Sequence, residues 1–106
     1  SDIFKNGITK EDAYFLANRD IKIVEEELLN SRTIVKELDA IRQRVLVDMG
    51  FNMGIPRLNR FFRMWGAINE QEYKSAAEEM QDSLWAGQVK SRANTLAYAM
   101  EHGEFA

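Results

Sequence analysis

Apolar positions recur at three- and four-residue steps along nearly the whole chain. Ala13, Leu16, Ala17, Ile21, Val24 and Leu28 form one stripe, which predicts a helix of about 20 residues, or about 30 Å, over residues 9–30. Thr9 followed by Asp12 is a near capping box at its start, with acidic residues in the first turn. The polar run Asn30-Ser31-Arg32-Thr33 ends it. A helix this long in so short a chain suits a connection between two bodies.

A second helix is expected from Asp39 as N-cap, with Ile41, Val45, Leu46, Met49 and Met53 inside and Gly54 as its stop. Pro56 suits the first turn of a third, which carries Leu58, Phe61, Phe62, Met64 and Trp65 and should break near Gly66. Asn69 with Glu72 reads as a capping box opening a fourth helix through Tyr73, Ala76, Ala77 and Met80. Trp85 and Gly87 mark a kink or short turn. The last helix covers roughly residues 89–101, with Ala93, Leu96, Ala97 and Met100 inward and Gly103 just past its end. No period-two alternation persists anywhere. The fold class is therefore all-α: about five helices, a long first one and then a bundle around a buried central helix. One helical domain spans residues 1–106, with its core over 38–103.

A chain of 106 residues holds one domain. Its 45% apolar and 29% charged fractions exclude disorder, and a single Pro with six Gly favours long helices. The longest unbroken apolar run, Ala13 to Ala17, is far short of the roughly 18 residues of a membrane span. No charged and apolar leader pattern is present, and no initiating Met. The opening Ser1-Asp2-Ile3-Phe4 is expected to be the start of a cut or processed piece. Zero Cys removes disulfides, Cys-held zinc and a thiol nucleophile, and the single His102 removes a multi-His metal site. No metal or cofactor is implied. A net charge of −3 gives no chain-wide attraction to nucleic acid.

Several residues carry candidate chemistry. The acidic neighbours Glu11 and Asp12, Glu25 to Glu27, and Glu78 and Glu79 read as solvated faces, because glycoside hydrolysis needs two carboxylates at a fixed separation with one desolvated. Arg57, Arg60 and Arg63 recur every third residue and predict a basic stripe along the third helix, opposite Phe61, Phe62 and Trp65. Such a stripe is most often the wet face of an amphipathic helix. His102 lies where an imidazole complements a helix C-terminus. The five Met residues, 49, 53, 64, 80 and 100, fall at inward positions.

Three blocks resemble the phage-type lysozymes, the glycoside hydrolase family that includes the lysozyme of the T-even bacteriophages. Asn6-Gly7-Ile8-Thr9-Lys10-Glu11-Asp12-Ala13 is similar to the entry of that family's long inter-lobe helix. Leu38-Asp39-Ala40-Ile41-Arg42 through Asp48-Met49-Gly50-Phe51-Asn52-Met53-Gly54 resembles its central core helix. Ala76-Ala77 through Ser83-Leu84-Trp85 to Gln88 and Arg92-Ala93 resembles its Ala-Ala, Ser-x-Trp and Gln-x-x-x-Arg-Ala run. In order, the blocks cover about residues 6–105.

The resemblance implies the C-terminal helical lobe of a two-lobed muramidase, which hydrolyses the β-1,4 bond between N-acetylmuramic acid and N-acetylglucosamine in peptidoglycan. The family's catalytic Glu, Asp and Thr precede the long helix, so the catalytic set in this chain is none. Carried over as substrate-binding positions are Phe51, Asn52, Phe61, Glu79, Gln88 and Arg92, with Arg92 near the acid supplied by the other lobe. The implied partners are peptidoglycan and an N-terminal catalytic lobe, with self-association into a homo-oligomer as a further expectation and no nucleic acid. The implied setting is phage-encoded: host cytoplasm, then periplasm and cell wall. An alternative is a catalytically inactive, lysozyme-derived binding module.

Three expectations follow for the molecule. Ile41, Val45, Leu46, Met49, Trp65, Met80, Trp85, Ala93 and Leu96 should share one core. The chain alone should have no glycosidase activity. The face bearing Phe51, Asn52, Gln88 and Arg92, with Tyr14 and Phe15 beside it, should be exposed.

Overall fold

The computed structural model describes the backbone from Lys10 to Ala106 and the side chains from Ile21 onward. The expected Thr9–Asp12 cap and the surroundings of Ala13, Tyr14, Phe15, Leu16 and Ala17 lie outside the described residues. The described residues hold no strand and seven α-helices. They are α1 (Lys10–Ser31), α2 (Ala40–Met53), α3 (Ile55–Leu58), α4 (Phe62–Asn69), α5 (Tyr73–Gln81), α6 (Leu84–Gln88) and α7 (Lys90–His102). A 3-10 turn, Thr33–Glu37, joins α1 to α2. The all-α reading holds.

α2 is the axis of the core, packed against α1 and α7, while α5 packs on α4 and α7. Val45, Leu46 and Met49 are fully buried, and Trp65, Met80, Trp85, Ala93 and Leu96 join them in one cluster with Ile41 packed on its edge. Ile21 departs from the expected inward stripe of α1 and lies at the surface, and Met53 is only half buried. α1 comes close to α2 at Gly50, where an added Cβ would meet Ile55 Cδ1 at 2.7 Å and Val24 Cγ1 at 3.1 Å. A side chain there would hold the two helices apart.

Local stop and start signals act as expected around α2 and α7. Asp39 caps α2 by accepting the Arg42 backbone N–H at 3.0 Å. Gly54, at φ 89°, ends that helix, and Gly103 ends α7 in the left-handed region at φ 73°. The Arg42 guanidinium completes the second stop. It donates from Nε to the Met100 carbonyl at 2.7 Å and from Nη2 to the Glu101 carbonyl at 2.9 Å, and lies 3.6 Å from the centre of the Tyr73 ring. Carbonyls left without partners in the last helical turn are thereby satisfied.

The expected third helix is corrected to two, α3 and α4. Its backbone ladder tightens at the break, with the Phe61 N–H on the Leu58 carbonyl and the Phe62 N–H on the Arg60 carbonyl. Side chains from elsewhere hold it. Trp65 Nε1 donates to the Leu58 carbonyl at 3.0 Å, and Arg32 Nη2 donates to the Asn59 carbonyl at 3.0 Å. Arg57, Arg60 and Arg63 therefore share no helix face, and the expected basic stripe does not form. Phe62 is 72% exposed instead of inward.

α4 does not break at Gly66 but runs on to Asn69. A lone Gly costs a helix about 1 kcal/mol relative to Ala without stopping it. The expected Asn69–Glu72 capping box is also absent. Asn69 is still helical, Gln71 turns the chain at φ 60°, and the Glu72 N–H is spent on the Ala67 carbonyl at 2.8 Å. Trp85 and Gly87 lie in the short helix α6, capped by Ser83, whose Oγ accepts the Ala86 N–H at 3.1 Å.

Candidate functional site

The outer face of α2 carries three polar residues at four-residue spacing, Arg44, Asp48 and Asn52. Spacing of that kind stacks side chains on one side of a helix. Asp48 is the hub. Arg92, on the first half of α7, donates from Nη1 to Asp48 Oδ1 at 3.0 Å and to Oδ2 at 3.2 Å. Asn52 Nδ2 donates to the Asp48 carbonyl at 2.8 Å and to Oδ1 at 3.3 Å. Phe51 stands beside them, 42% exposed. Together with Ile21, Arg44 and Val47 these residues line a hollow of about 340 Å³.

Two cations, Arg44 and Arg92, flank the single carboxylate of Asp48, so the hollow carries a positive surplus. Its one aromatic ring, one amide and fixed guanidinium suit a neutral or anionic ligand with hydroxyl and amide groups. One carboxylate, already hydrogen-bonded, does not make the acid and base pair that hydrolysis of a glycosidic bond requires.

The six candidate residues divide between two hollows. Phe51, Asn52 and Arg92 line the first. Phe61 and Glu79 line a second, of about 400 Å³, where the start of α4 faces α5 and the cap of α6. Arg60, Phe62, Arg63, Met64 and Ser83 complete its wall. Gln88, at the end of α6, is exposed and lines neither. Asp48 escaped the sequence reading as a site residue. The available signal was a lone acid, four residues before Asn52, in the otherwise apolar stretch from Val45 to Met53.

No protein-family model matches the chain. Over 99 residues, 91% of its length, it is 29% identical to the probable T4-type lysozyme 1 of Dictyostelium discoideum, and 28% identical over the same length to the probable T4-type lysozyme 2 of that organism. The chain spans 58% of the length of each. It is also 30% identical over 93 residues to the pre-baseplate central spike protein Gp5 of Enterobacteria phage T4, of which the match covers 16%. The chain is thus lysozyme-like, similar to the C-terminal region of a T4-type lysozyme. Among the described residues no helix is long and apolar enough to cross a membrane.

Proposed function

We propose that these 106 residues serve as the C-terminal helical lobe of a phage-type muramidase, with the α2–α7 face closing one side of the peptidoglycan cleft. A lobe outside this sequence supplies the Glu acid and the Asp-positioned water, and cleavage of the β-1,4 bond inverts the anomeric centre. This lobe supplies binding. Phe51 offers an apolar face to a sugar ring, while Asn52 and Gln88 offer amides to N-acetyl and hydroxyl groups. The positive charge of Arg92 favours the ionised form of a carboxylate set beside it. Such an enzyme works from the host cytoplasm outward to the periplasm and wall.

The observation that carries this reading is that Asp48 and Arg92, 44 positions apart, join in one network with Asn52 beside Phe51. The second reading, a binding module without catalysis, is favoured by the same ion pair, because Asp48 already gives Arg92 an anionic partner within the lobe. A titration with a soluble peptidoglycan disaccharide, followed by amide NMR shifts, tests the cleft role. Shifts centred on Asp48, Phe51, Asn52 and Arg92 are expected. Shifts confined to other faces would contradict it.

A further inference from the structure

One wall of the second hollow is a single run of chain, residues 60–64, with Glu79 and Ser83 contributed by α5 and the cap of α6. The run follows α3, which is one turn of four residues and too short to be stable through its own hydrogen bonds. It also contains the break before α4. The Asn59 carbonyl, just ahead of the run, accepts no backbone N–H among the described residues. One side chain from a distant part of the chain grips both ends. Arg32, the first residue past α1, donates from Nε to Asn59 Oδ1 and from Nη2 to the Asn59 carbonyl, each at 3.0 Å. Its guanidinium also lies over the ring of Trp65, the residue that follows the run, 4.9 Å from the ring centre. Asn59 Nδ2 donates back to Ser31 Oγ at 3.2 Å, so the end of α1 and this corner are joined twice. Arg32 itself lines no part of the hollow.

We propose that Arg32 is the positioning residue of the second hollow, fixing the wall of residues 60–64 by holding both of its ends. It acts through Asn59 and Trp65 and does not touch what the hollow binds. The inference rests on the muramidase reading, with Phe61 and Glu79 as substrate-binding positions, and adds to it a residue that sets their geometry from outside. Arginine suits the task. Two donors on one edge of a planar guanidinium meet the two oxygens of Asn59, while its flat face stays on the indole. Lysine offers a point charge on a flexible stem and cannot meet both neighbours at once. A wall held in place before binding spares the ligand the cost of ordering it. Once released, the wall occupies its competent position only part of the time, and the apparent affinity falls by that fraction.

The test combines amide hydrogen exchange with titration by a soluble peptidoglycan disaccharide, both followed by NMR on the 106-residue protein. The Phe61 and Phe62 amides, bonded to the Leu58 and Arg60 carbonyls, report the wall. In Arg32→Gln they should exchange about tenfold faster, while the Met49 amide in α2 keeps its rate. Disaccharide affinity read at Phe61 and Glu79 should fall about threefold, with shifts at Asp48 and Asn52 saturating as in the parent. Arg32→Lys should resemble Arg32→Gln more than the parent. Asn59→Ala should give the same pattern at smaller size, and serves alone if Arg32→Gln does not fold. The double variant should stay close to Arg32→Gln, because the two residues act through one contact. The proposal is overturned if Phe61 and Phe62 keep the parent rates, if Arg32→Lys exchanges and binds as the parent does, or if the wall loosens without loss of affinity. Exchange that quickens equally at Met49 would show a general loss of stability and overturn it too. A parent unshifted at Phe61 and Glu79, with the Arg32-dependent exchange intact, would instead remove the substrate reading of this hollow and leave the hold of Arg32 on the wall standing.

Discussion

Arg92 on α7 and Asp48 on α2 meet through Nη1, which lies 3.0 Å from one carboxylate oxygen and 3.2 Å from the other. Their side chains are 52% and 28% exposed, so solvent screens much of the attraction. The pair positions the guanidinium more than it stabilises the fold. Asp48→Asn is therefore expected to change unfolding free energy by less than about 1 kcal/mol while releasing Arg92. Chemical denaturation measures the first effect, and NMR of the Arg92 side chain the second. A loss well above that bound would make the pair structural.

The two tryptophans should respond differently to the same change. Trp65 Nε1 is bonded to the Leu58 carbonyl, and Arg32 stacks over its ring at 4.9 Å. Trp85 is 3% exposed, and its Nε1 has no partner among the described residues. Both lose volume on replacement by Phe, but only Trp65→Phe breaks a buried hydrogen bond, whereas Trp85→Phe removes an unsatisfied donor. Trp65→Phe should be the more destabilising by about 1–2 kcal/mol, combining the hydrogen bond with the cation–ring contact. Thermal unfolding of the two variants side by side decides it.

Opposite signs are expected at two glycines. An added Cβ at Gly66, inside α4, meets nothing within 4 Å. Gly66→Ala should stabilise by about 0.5–1 kcal/mol, through helix propensity and a less free unfolded chain. Gly103 sits at φ 73°, and a Cβ there would stand 3.1 Å from Arg42 Nη1. Gly103→Ala should destabilise by about 1–2 kcal/mol. Melting temperatures moving in the same direction for both would refute the backbone argument.

Asp39 links stability to pH. Burial pushes its carboxyl up, but the Arg42 backbone N–H, the Arg42 guanidinium and its charge outweigh that and leave the group below its ordinary value of 3.8. A depressed folded value means the stabilisation is fully present above the unfolded value and is lost as pH falls through the folded one. Asp39→Asn keeps a capping oxygen and removes the charge. Parent and variant should differ at neutral pH and converge below about pH 4. A gap that stays constant down to pH 3 would show that the carboxylate charge contributes nothing.

Where a helix ends by its own residues, the sequence was readable. Asp39, Gly54, Pro56 and Gly103 each act within one turn of their own position, and the resemblance as a whole agrees with the relatives found. The break between α3 and α4 was not readable, because the groups that fix it come from Trp65, seven positions on, and Arg32, 27 positions back. The same break scattered the arginine stripe and turned Phe62 outward. At Asn69 the local motif was present, but the Glu72 N–H it needed had gone to a carbonyl of the preceding helix. Phe51, Asn52 and Arg92 were named from resemblance. Asp48, which ties Asn52 and Arg92 together, shows its role only when α2 and α7 are side by side.

The most direct test of the cleft role is a fusion in which this chain replaces the matched region of the Dictyostelium discoideum T4-type lysozyme 1, assayed for clearing of a peptidoglycan suspension beside the unaltered protein. On the muramidase reading, which puts the acid and base in the other lobe, the 106-residue chain alone should clear nothing. The fusion should clear peptidoglycan, and should lose most of that activity on Arg92→Ala while remaining folded. Clearing by the chain alone, or an inactive folded fusion beside an active unaltered protein, would contradict the assignment of the α2–α7 face to a muramidase cleft.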